Sequence, residues 1–474
     1  MIMTNWKKQR IKEALYPESV AVFGISDAAN NLGAQVVYGL LREKFPGPIF
    51  PVHPRLKELA GLKVYPRLEG IGRKVDLVIS ALNAKLTTEE VIESCARVGV
   101  KGIVCIAGGF KEVGGEGEQY EKKLKKIADE NRIVIFGPNI LGVINNDRRL
   151  YATFWSFEEG NPSGPVSIVS QSGGTASILL NDFIDRGVCV NKWVCLGNRT
   201  NVEFSDMFQY FEDDEGTRVV AASVEGIEDS RGFMEAARGL ARKKPVVLLK
   251  TARSASMSVI ATSHTGTMGG AYRIFRDACR QYGILEVQNM RDLATVCKAL
   301  AISPYPRGER VAVITHTASP SILAVDTLIE NDCPLAQTAD KTRNRIRKII
   351  GERVPVVLSP NPIDITGSGA FAEVFPRCVE AVLDDEGVDM VIAIYAVHRN
   401  FETSAKALAE LKRKTSKPLI VSILASRNEK REDERILQAA GIPVFQAPED
   451  AALSAVYLAR YYRLISKWEG SGHH

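Results

Sequence analysis

The chain has 474 residues, of which 45% are hydrophobic and 25% are charged, and its formal net charge is +5. This length predicts about three domains of roughly 150 residues each. The small net charge and the lack of a long basic run argue against nucleic-acid binding, and no apolar run reaches the ~18 residues of a membrane span. The eight cysteines are scattered without the spacing of a metal site, so we expect free thiols in a reducing cytoplasm and no bound metal.

The first predicted domain covers residues 1–150. Its first strand, Val20–Ser26, ends in small residues and leads through Asn30–Gly33 into a helical pattern. Further apolar runs alternate with helical patterns, which predicts a doubly wound parallel sheet whose ligand lies at the carboxyl ends of the strands. The predicted later strands are Pro48–Val52, Val75–Ser80, Gly102–Ile106 and Ile133–Phe136.

The loop after the first strand is not the G-x-G-x-x-G of a dinucleotide site, and no acidic residue follows the second strand to bind a ribose. Instead that strand runs into His53-Pro54-Arg55, which could receive a phosphate. Small and amide side chains follow the other strands. These candidate ligand-binding residues are Gly24, Ser26, Asn83, Ala84, Ala107, Gly108, Gly109, Gly137, Pro138 and Asn139.

The second predicted domain covers residues 151–303. The strand Val166–Val169 runs into Ser170-Gln171-Ser172-Gly173-Gly174-Thr175 and then into an apolar helix. A helix that starts with serines and glycines presents free amides and a positive dipole end, so this start is suited to a phosphate, although the glycines could simply turn the chain. Glu225 follows the strand Val219–Val224, where either a solvated loop acid or an active carboxylate would lie.

The stretch Thr262–Gly270 combines hydroxyl and glycine residues around one imidazole, that of His264. Small residues let backbone amides approach an anion, and an imidazole beside them can act as a base, a ligand or a nucleophile toward phosphorus. A hydrogen-bonded histidine in a surface loop would have the same sequence. The residues of this stretch alone do not decide between the two.

The third predicted domain covers residues 304–467, and the chain then ends in a short tail, 468–474, that we take as an expression remnant. The start of this domain repeats that of the second, with V-A-V-I-T-H-T against V-S-I-V-S-Q-S. Two such helix starts could surround one anion. We expect strands at Asp389–Tyr395, Leu419–Leu424 and Val444–Phe445, a loop at Asn361–Asp364 and a last helix at Glu449–Ile465.

These motifs, in this order, resemble the α subunit of ADP-forming acetyl-CoA synthetases, in the succinyl-CoA synthetase superfamily. The resemblance runs from Ser19 to Ile465 and includes Ala107–Glu112 and Gly137–Gly142, whose counterparts border the CoA site. It implies three Rossmann-like or flavodoxin-like domains of α/β class. It also implies the NDP-forming conversion of acyl-CoA, ADP and phosphate into a carboxylic acid, ATP and CoA.

The resemblance assigns roles to individual residues. His264 would be the phosphorylated histidine, and Glu225 the carboxylate that orients it. The phosphate would lie at the second helix start and at the His264 loop, and CoA would lie on the first domain. The implied phosphate-binding residues are Ser172, Gly173, Gly174 and Gly266, and the implied CoA-binding residues are Gly24, Ser26, Arg55, Asn83, Gly108, Gly109 and Asn139.

The sequence departs from the family at two places. Ile140 stands where cysteine is common, which we expect to matter little. The third domain begins with His316–Ser321 instead of the family's Asn-Ala-Gly-Gly-Pro-Gly. Lost glycines restrict the backbone and move it away from an anion. Thr317, Ser319 and Ser321 could instead donate hydroxyl groups to a phosphate.

The three domains use the whole chain, so we expect a separate ATP-grasp β subunit that holds ADP or ATP with Mg²⁺, in an α2β2 complex. Two alternatives stay open. One is a CoA-binding regulatory protein that has kept the fold, and the other is a CoA-dependent acyltransferase whose histidine takes no phosphate. The acyl group and the choice of ADP or GDP depend on side chains brought together by folding, and the sequence does not give them.

Overall fold

The computed structural model describes residues 6–28, 30–156, 163–253, 272–351, 358–367, 373–397 and 404–470. The chain forms two compact units, residues 1–294 and residues 295–474. Among the described residues, the first unit contains two large sheets and a two-stranded hairpin, and the second contains one large sheet. Among the described residues, no helix is long and apolar enough to cross a membrane.

The first sheet has five parallel strands in the order β2-β1-β5-β6-β7. The order reverses between β1 and β5, which places a topological switch point there. Helices cover the faces, so the strands are buried and consist almost wholly of apolar residues. The elements are α1 (Trp6–Leu15), β1 (Val20–Phe23), α2 (Leu32–Arg42), β2 (Ile49–Val52), the hairpin β3 (Glu58–Leu59) and β4 (Leu62–Lys63), β5 (Leu77–Ser80), α3 (Ala84–Leu86), α4 (Ile92–Val98), β6 (Gly102–Cys105), α5 (Gly115–Glu130) and β7 (Val134–Phe136).

The second sheet has seven strands in the order β14-β13-β12-β10-β11-β8-β9. Its first five strands in that order are parallel, and β8 and β9 add an antiparallel edge. The elements are β8 (Gly142–Asn145), β9 (Leu150–Thr153), β10 (Val166–Ser170), α6 (Gly173–Asp185), β11 (Val190–Cys195), α7 (Phe204–Phe211), β12 (Val219–Val224), α8 (Ser230–Ala241), β13 (Val246–Lys250), α9 (Tyr272–Tyr282), β14 (Leu285–Val287) and α10 (Met290–Ile302).

The β8–β9 hairpin was not predicted. Its first strand, β8, lies before residue 150, where we placed the domain boundary, yet β8 pairs with β11 through Ile144 and Trp193. The second sheet therefore begins earlier in the chain than the predicted boundary.

A buried lysine joins this hairpin to the rest of the first unit. Lys192 of β11 is fully buried, and its ammonium donates to Asp214 Oδ2 at 2.8 Å. The same ammonium lies 5.2 Å from the ring centre of Tyr16, whose hydroxyl donates to Asp147 at 3.2 Å. The backbone carbonyl of Leu15 accepts a hydrogen bond from Asn145. The chain before β1 is thus held to the hairpin and to β11 of the second sheet by polar contacts.

The third sheet forms the second unit, with five parallel strands in the order β16-β15-β17-β18-β19. We expected a loop at Asn361–Asp364, but its last two residues form a short edge strand that pairs with β15. The elements are β15 (Val311–Thr315), α11 (Ala318–Glu330), α12 (Asp340–Ile350), β16 (Ile363–Asp364), α13 (Val374–Leu383), β17 (Met390–Ala396), α14 (Ala405–Lys412), β18 (Leu419–Leu424), α15 (Arg427–Ala439), β19 (Val444–Phe445) and α16 (Pro448–Gly470).

Three sheets of parallel strands flanked by helices confirm the predicted α/β class. In each large sheet one strand (β1, β10 or β15) lies between the next two strands of that sheet along the chain. Each of these sheets therefore has a switch point at its carboxyl edge. The candidate site residues that the structure describes are considered below in relation to these switch points.

Candidate functional site

The switch point of the second sheet lies between β10 and β12, and Gln171 spans it. Gln171 follows β10, and its Oε1 accepts hydrogen bonds from the backbone N–H groups of Glu225 and Gly226, both at 3.1 Å. The side chain of Gln171 is buried. The structure thereby fixes the turn that carries Glu225 beside the start of α6.

The start of α6 carries three of the residues predicted to bind phosphate, Ser172, Gly173 and Gly174. Ser172 is the N-cap, and its hydroxyl accepts a hydrogen bond from Thr175 N at 3.3 Å. The first N–H groups of a helix have no acceptor within the helix, which leaves those of Gly173 and Gly174 directed outward at the positive end of the dipole. A Cβ on Gly173 would lie 2.9 Å from Leu141 Cγ, whereas Gly174 is exposed. A ligand would therefore approach from the Gly174 side.

Two cationic side chains hold the backbone of the Glu225–Gly226 turn. Lys250, at the end of β13, donates from its ammonium to the carbonyl of Glu225. Arg199 donates from Nη1 to the carbonyl of Gly226 at 3.3 Å. Burial lowers the pKa of Lys250, and the nearby Glu225 opposes that shift. The turn is thus bonded on both its N–H and its C=O groups.

His264 and Gly266 lie outside the described residues. The chain enters that segment from Thr251, whose N–H donates to Val224 O at 3.0 Å, one residue before Glu225. The described residues on its two sides also lie near each other, because the Arg253 guanidinium carbon is 5.7 Å from the ring centre of Tyr272. The described residues on either side of this segment, Arg253 and Tyr272, therefore lie close together near the carboxyl end of β13.

The switch point of the first sheet is formed by Gly24 and Ala81. Gly24 has φ +80°, and a Cβ there would lie 2.7 Å from the carbonyl carbon of Ala81. Asn31 closes the loop: its Oδ1 accepts from Ser26 N at 3.1 Å and from Ala34 N at 2.7 Å, and its Nδ2 donates to Gly24 O at 3.0 Å. This loop presents backbone and the half-buried Ser26 at the strand ends, which suits close approach by a ligand.

A second group of candidates meets at the ends of β6 and β7. A Cβ on Gly108 would lie 3.4 Å from Asn139 Oδ1 and 2.8 Å from Glu112 Oε1. Glu112 Oε1 accepts from Gly109 N at 2.5 Å and from Phe110 N at 3.2 Å. Burial alone would raise the pKa of Glu112, but the hydrogen bonds from Asn198 and the backbone lower it below its ordinary value. An ionised Glu112 thus shapes the loop around Gly108 and Gly109.

Asn83 and Arg55 occupy the remaining predicted positions. Asn83 is the exposed N-cap of α3 and accepts from Leu86 N at 3.0 Å. A Cβ on Gly109 would contact Ala84 at 3.7 Å, so Asn83 lies near the Gly108–Gly109 loop. Arg55 is exposed beyond β2, and no hydrogen bond joins its side chain to another described residue.

His53, a possible phosphate partner in the sequence, is occupied by its own turn. Its Nδ1 accepts hydrogen bonds from the backbone N–H groups of Arg55 and Leu56, at 3.2 and 3.0 Å. The ring therefore caps the turn that presents Arg55. Of the two residues, Arg55 is the one with its charged group exposed toward solvent.

The repeat between the second and third domains extends to side-chain contacts. Ser170 and Thr315 each donate a hydroxyl hydrogen bond to the carbonyl two residues later, both at 2.9 Å. Like Gln171, the next residue His316 accepts a backbone N–H across its switch point, here from Ala396 to Nε2 at 3.0 Å. The start of α11 differs, because the hydroxyl of its N-cap Thr317 does not cap the helix but lies 3.2 Å from Thr315 Oγ1, and Ala318–Ser321 already belong to the helix.

Asn198 and Arg199 contact the candidate site, and our sequence interpretation did not select them; Glu112 lay in the Ala107–Glu112 stretch but was given no role of its own. Asn198 donates from one nitrogen to Glu112 Oε2 at 2.5 Å and to Glu121 Oε2 at 2.9 Å. A signal was present, since Gly197-Asn198-Arg199-Thr200 directly follows the apolar run Trp193–Leu196 and places polar residues at its end. Their partners lie far away in sequence, and only the fold brings them together.

Two regions of the chain match known family models. Residues 18–146 match a CoA binding domain, and residues 163–300 match the succinyl-CoA ligase like flavodoxin domain. The acetate–CoA ligase [ADP-forming] II subunit alpha of Pyrococcus furiosus is 32% identical over 94% of this chain and 96% of its own length. The acetate–CoA ligase [ADP-forming] I of Archaeoglobus fulgidus is 33% identical, and the match covers 96% of this chain but 64% of that longer protein.

A solved structure is similar over the same extent. It is the acetyl-coenzyme A synthetase 1 of Candidatus Korarchaeum cryptofilum, described as dinucleotide forming and in complex with phosphate and ADP. The TM-score is 0.89 at 30% sequence identity, and the match covers 97% of this chain and 98% of that one.

Proposed function

The chain belongs to the family of ADP-forming acetate–CoA ligase α subunits, and from this membership we propose that it is the α subunit of an acyl-CoA synthetase of that type. The reaction interconverts an acyl-CoA, ADP and phosphate with a carboxylic acid, ATP and CoA. The observation that carries the proposal is the anchoring of Glu225 by Gln171 beside the amide-rich start of α6.

In this mechanism the first step takes place on the first sheet. A phosphate oxygen attacks the thioester carbonyl, the C–S bond breaks, and CoA leaves as the thiolate while an acyl phosphate forms. The Gly24 loop, Arg55, Asn83 and the Gly108–Gly109 loop with Asn139 would hold CoA. Gly24 and Gly109, with φ +80° and +97°, give backbone surfaces without side chains at the strand ends, which fits an extended phosphate-bearing ligand.

The second step transfers the phosphoryl group to His264. The imidazole nitrogen attacks phosphorus, the P–O bond of the acyl phosphate breaks, and the carboxylate leaves. Ser172, the N–H groups of Gly173 and Gly174, and Gly266 would stabilise the charge on the phosphoryl oxygens. Glu225 would accept a hydrogen bond from the other ring nitrogen, which keeps the attacking nitrogen free of its proton.

The third step requires a partner. ADP attacks the phosphohistidine, the P–N bond breaks, and ATP forms. We assign ADP or ATP and Mg²⁺, which would neutralise nucleotide phosphate charge, to an ATP-grasp β subunit in an α2β2 complex. Relatives that are named as α subunits support a partner, as does the part of the longer Archaeoglobus protein that this chain does not match.

The cytoplasm is the compartment that this proposal requires. All eight cysteines are free thiols, and seven of them are buried. Free thiols are typical of proteins in a reducing compartment, which supports the assignment.

The test is phosphorylation of the complex. The chain is mixed with its β subunit, Mg²⁺ and ATP labelled at the γ-phosphate, and label on this chain is measured after acid and after base treatment. We expect label that acid removes and base does not, and that His264→Ala abolishes. CoA binding without label would favour the regulatory alternative, and acyl transfer from CoA without label would favour the acyltransferase. Undiminished label on His264→Ala would contradict the role of His264.

A further inference from the structure

The loop after β11 lies between the two parts of the proposed site. On one side, Asn198 donates to Glu112, which accepts the N–H groups of Gly109 and Phe110. The N–H of Asn198 also donates to Pro138 O at 3.0 Å, in the loop that carries Asn139. Asn198 therefore bonds to both loops that we assign to CoA at the ends of β6 and β7.

On the other side, Arg199 contacts the turn that carries Glu225. Its side chain is 1% exposed, and Nη1 donates to Gly226 O at 3.3 Å and to Glu203 Oε2 at 3.0 Å. Nη2 lies 3.5 Å from Glu228 Oε1, which is also 3.5 Å from the ammonium of Lys111. Because Lys111 belongs to the Gly108–Glu112 loop, a second path of charged groups runs between the same two regions.

The backbone links the Asn198–Glu112 contact directly to the Arg199–Gly226 contact. Asn198 and Arg199 are consecutive, and Arg199 has φ +59°, a left-handed conformation that a bulky side chain adopts only when its surroundings hold it. Both residues are buried, so neither side chain can turn into solvent when a neighbour moves. Asn198 and Arg199 therefore form a continuous path of hydrogen bonds from Glu112 to the carbonyl of Gly226.

We propose that Asn198 and Arg199 are positioning residues that couple the Gly108–Glu112 loop to the Glu225–Gly226 turn, so that CoA bound on the first sheet fixes the backbone that carries Glu225. This inference rests on the proposed function, since it needs CoA at that loop. Coupling means that CoA binding and the position of Glu225 depend on each other, which two independent sites would not show. CoA binding orders the Glu225 carboxylate, which acts in phosphoryl transfer. By linkage, an ordered Glu225 raises the affinity for CoA by the same factor by which CoA favours the ordered state.

Two amide protons report the coupling directly. The N–H groups of Glu225 and Gly226 donate to Gln171, so their hydrogen exchange measures how often the turn opens. Exchange over residues 222–230 would be measured by mass spectrometry on the full chain, with and without saturating CoA. Calorimetry on the same samples would give the CoA affinity.

The variants are chosen within one loop. Asn198→Ser removes the bonds to Glu112 and Glu121, and Arg199→Lys keeps the charge but loses the planar fork. Asn201→Ser is the matched control, because Asn201 is an equally buried amide that bonds to Asp129 and to the backbone of Ile133 and Ile135, away from both loops. Arg199→Lys is the second variant because loss of a buried side chain in Asn198→Ser can impair folding.

In the wild type and in Asn201→Ser, we expect CoA to slow exchange at residues 225–226 by about fivefold or more. In Asn198→Ser or Arg199→Lys, CoA should still bind while this slowing is lost. CoA binding to the wild type without slower exchange would overturn the coupling and leave the proposed function intact. Equal loss in Asn201→Ser would also overturn it, by showing a general structural role. No CoA binding by calorimetry would overturn both the coupling and the CoA placement.

Discussion

The side-chain oxygen of Gln171 accepts a hydrogen bond from the backbone N–H of Glu225 at 3.1 Å. This contact positions Glu225 through its main chain and leaves the carboxylate out of the bond. A change confined to the carboxylate should therefore preserve the turn, while a change at Gln171 should disturb it.

Glu225→Gln separates the chemistry of this residue from its structure. We expect normal thermal stability and a rate of histidine phosphorylation lower by about 10²-fold, because an amide cannot stabilise the imidazole as a carboxylate does. Single-turnover labelling with the β subunit measures the rate. Glu235→Gln, an exposed acid on α8, is the control and should leave the rate unchanged. A wild-type rate in Glu225→Gln would remove Glu225 from the mechanism.

Gly24→Ala tests the loop at the first switch point. The new Cβ would lie 2.7 Å from Ala81 backbone at a φ of +80°, so crowding and strain together should destabilise the first unit by about 1–3 kcal/mol and weaken CoA binding. Urea unfolding and calorimetry measure the two effects. Gly61→Ala is the matched control, with φ +76° and nothing within 4 Å of the new Cβ. It should show only the strain, about 1–2 kcal/mol, with normal CoA affinity. Equal CoA affinity in both variants would argue against this placement.

Glu112 should make the stability of the first unit depend on pH. Its pKa in the fold lies below the ordinary value of 4.5, so folding favours the ionised form. The resulting stability is present above pH 4.5 and is lost as pH falls below that value. Glu112→Gln should therefore unfold more readily than the wild type at pH 7 and lose less additional stability on acidification. Urea midpoints at several pH values test this, and parallel curves for the two proteins would contradict it.

Lys192 should be important for stability and unimportant for chemistry. Its ammonium is fully buried against Asp214, so Lys192→Met would leave that carboxylate buried without its cation, at a cost of about 3–5 kcal/mol. Lys243→Met removes a lysine that pairs with Glu212 and Asp213 at the surface, and it should change the unfolding midpoint little. Chemical unfolding of both variants makes the comparison, and similar midpoints would refute the role of burial.

The thiols should react slowly in the native protein. Burial raises the pKa of Cys195 and Cys378 to about 12, so almost none of their thiolate is present at neutral pH. Cys189 is the partly exposed thiol among the eight and should react first with Ellman's reagent. Cys189→Ser should remove the fastest phase, whereas all cysteines should react at once in denaturant. A fast phase that survives in Cys189→Ser would show that another thiol is accessible.

The sequence was sufficient for most strands because parallel sheets bury both faces. Runs such as Val219–Val224 are apolar throughout, and the structure has them as strands with the predicted ends or close to them. Shorter elements were not predicted from the sequence, for a physical reason. Ile363–Asp364 forms a two-residue edge strand, too short to give a pattern, and β8 and β9 are four-residue strands around a polar turn.

The candidate site divides in the same way. Residues that end a strand, such as Gly24 and Glu225, could be chosen from position alone. The bond between Asn198 and Glu112 could not, because these residues are 86 positions apart and follow strands of different sheets. Sequence patterns report which edge of a sheet a residue occupies, but contacts between edges depend on how two sheets pack.

The β8–β9 hairpin has a consequence for synthesis of the chain. Residues 142–153 are made before Val190–Cys195, the strand on which β8 pairs, so the hairpin leaves the ribosome with an open edge. The first sheet can form as soon as Phe136 has emerged, but the chain immediately after it must wait for β11. Completion of the first unit is therefore set by the arrival of the second sheet's central strands, even though the first sheet can form earlier.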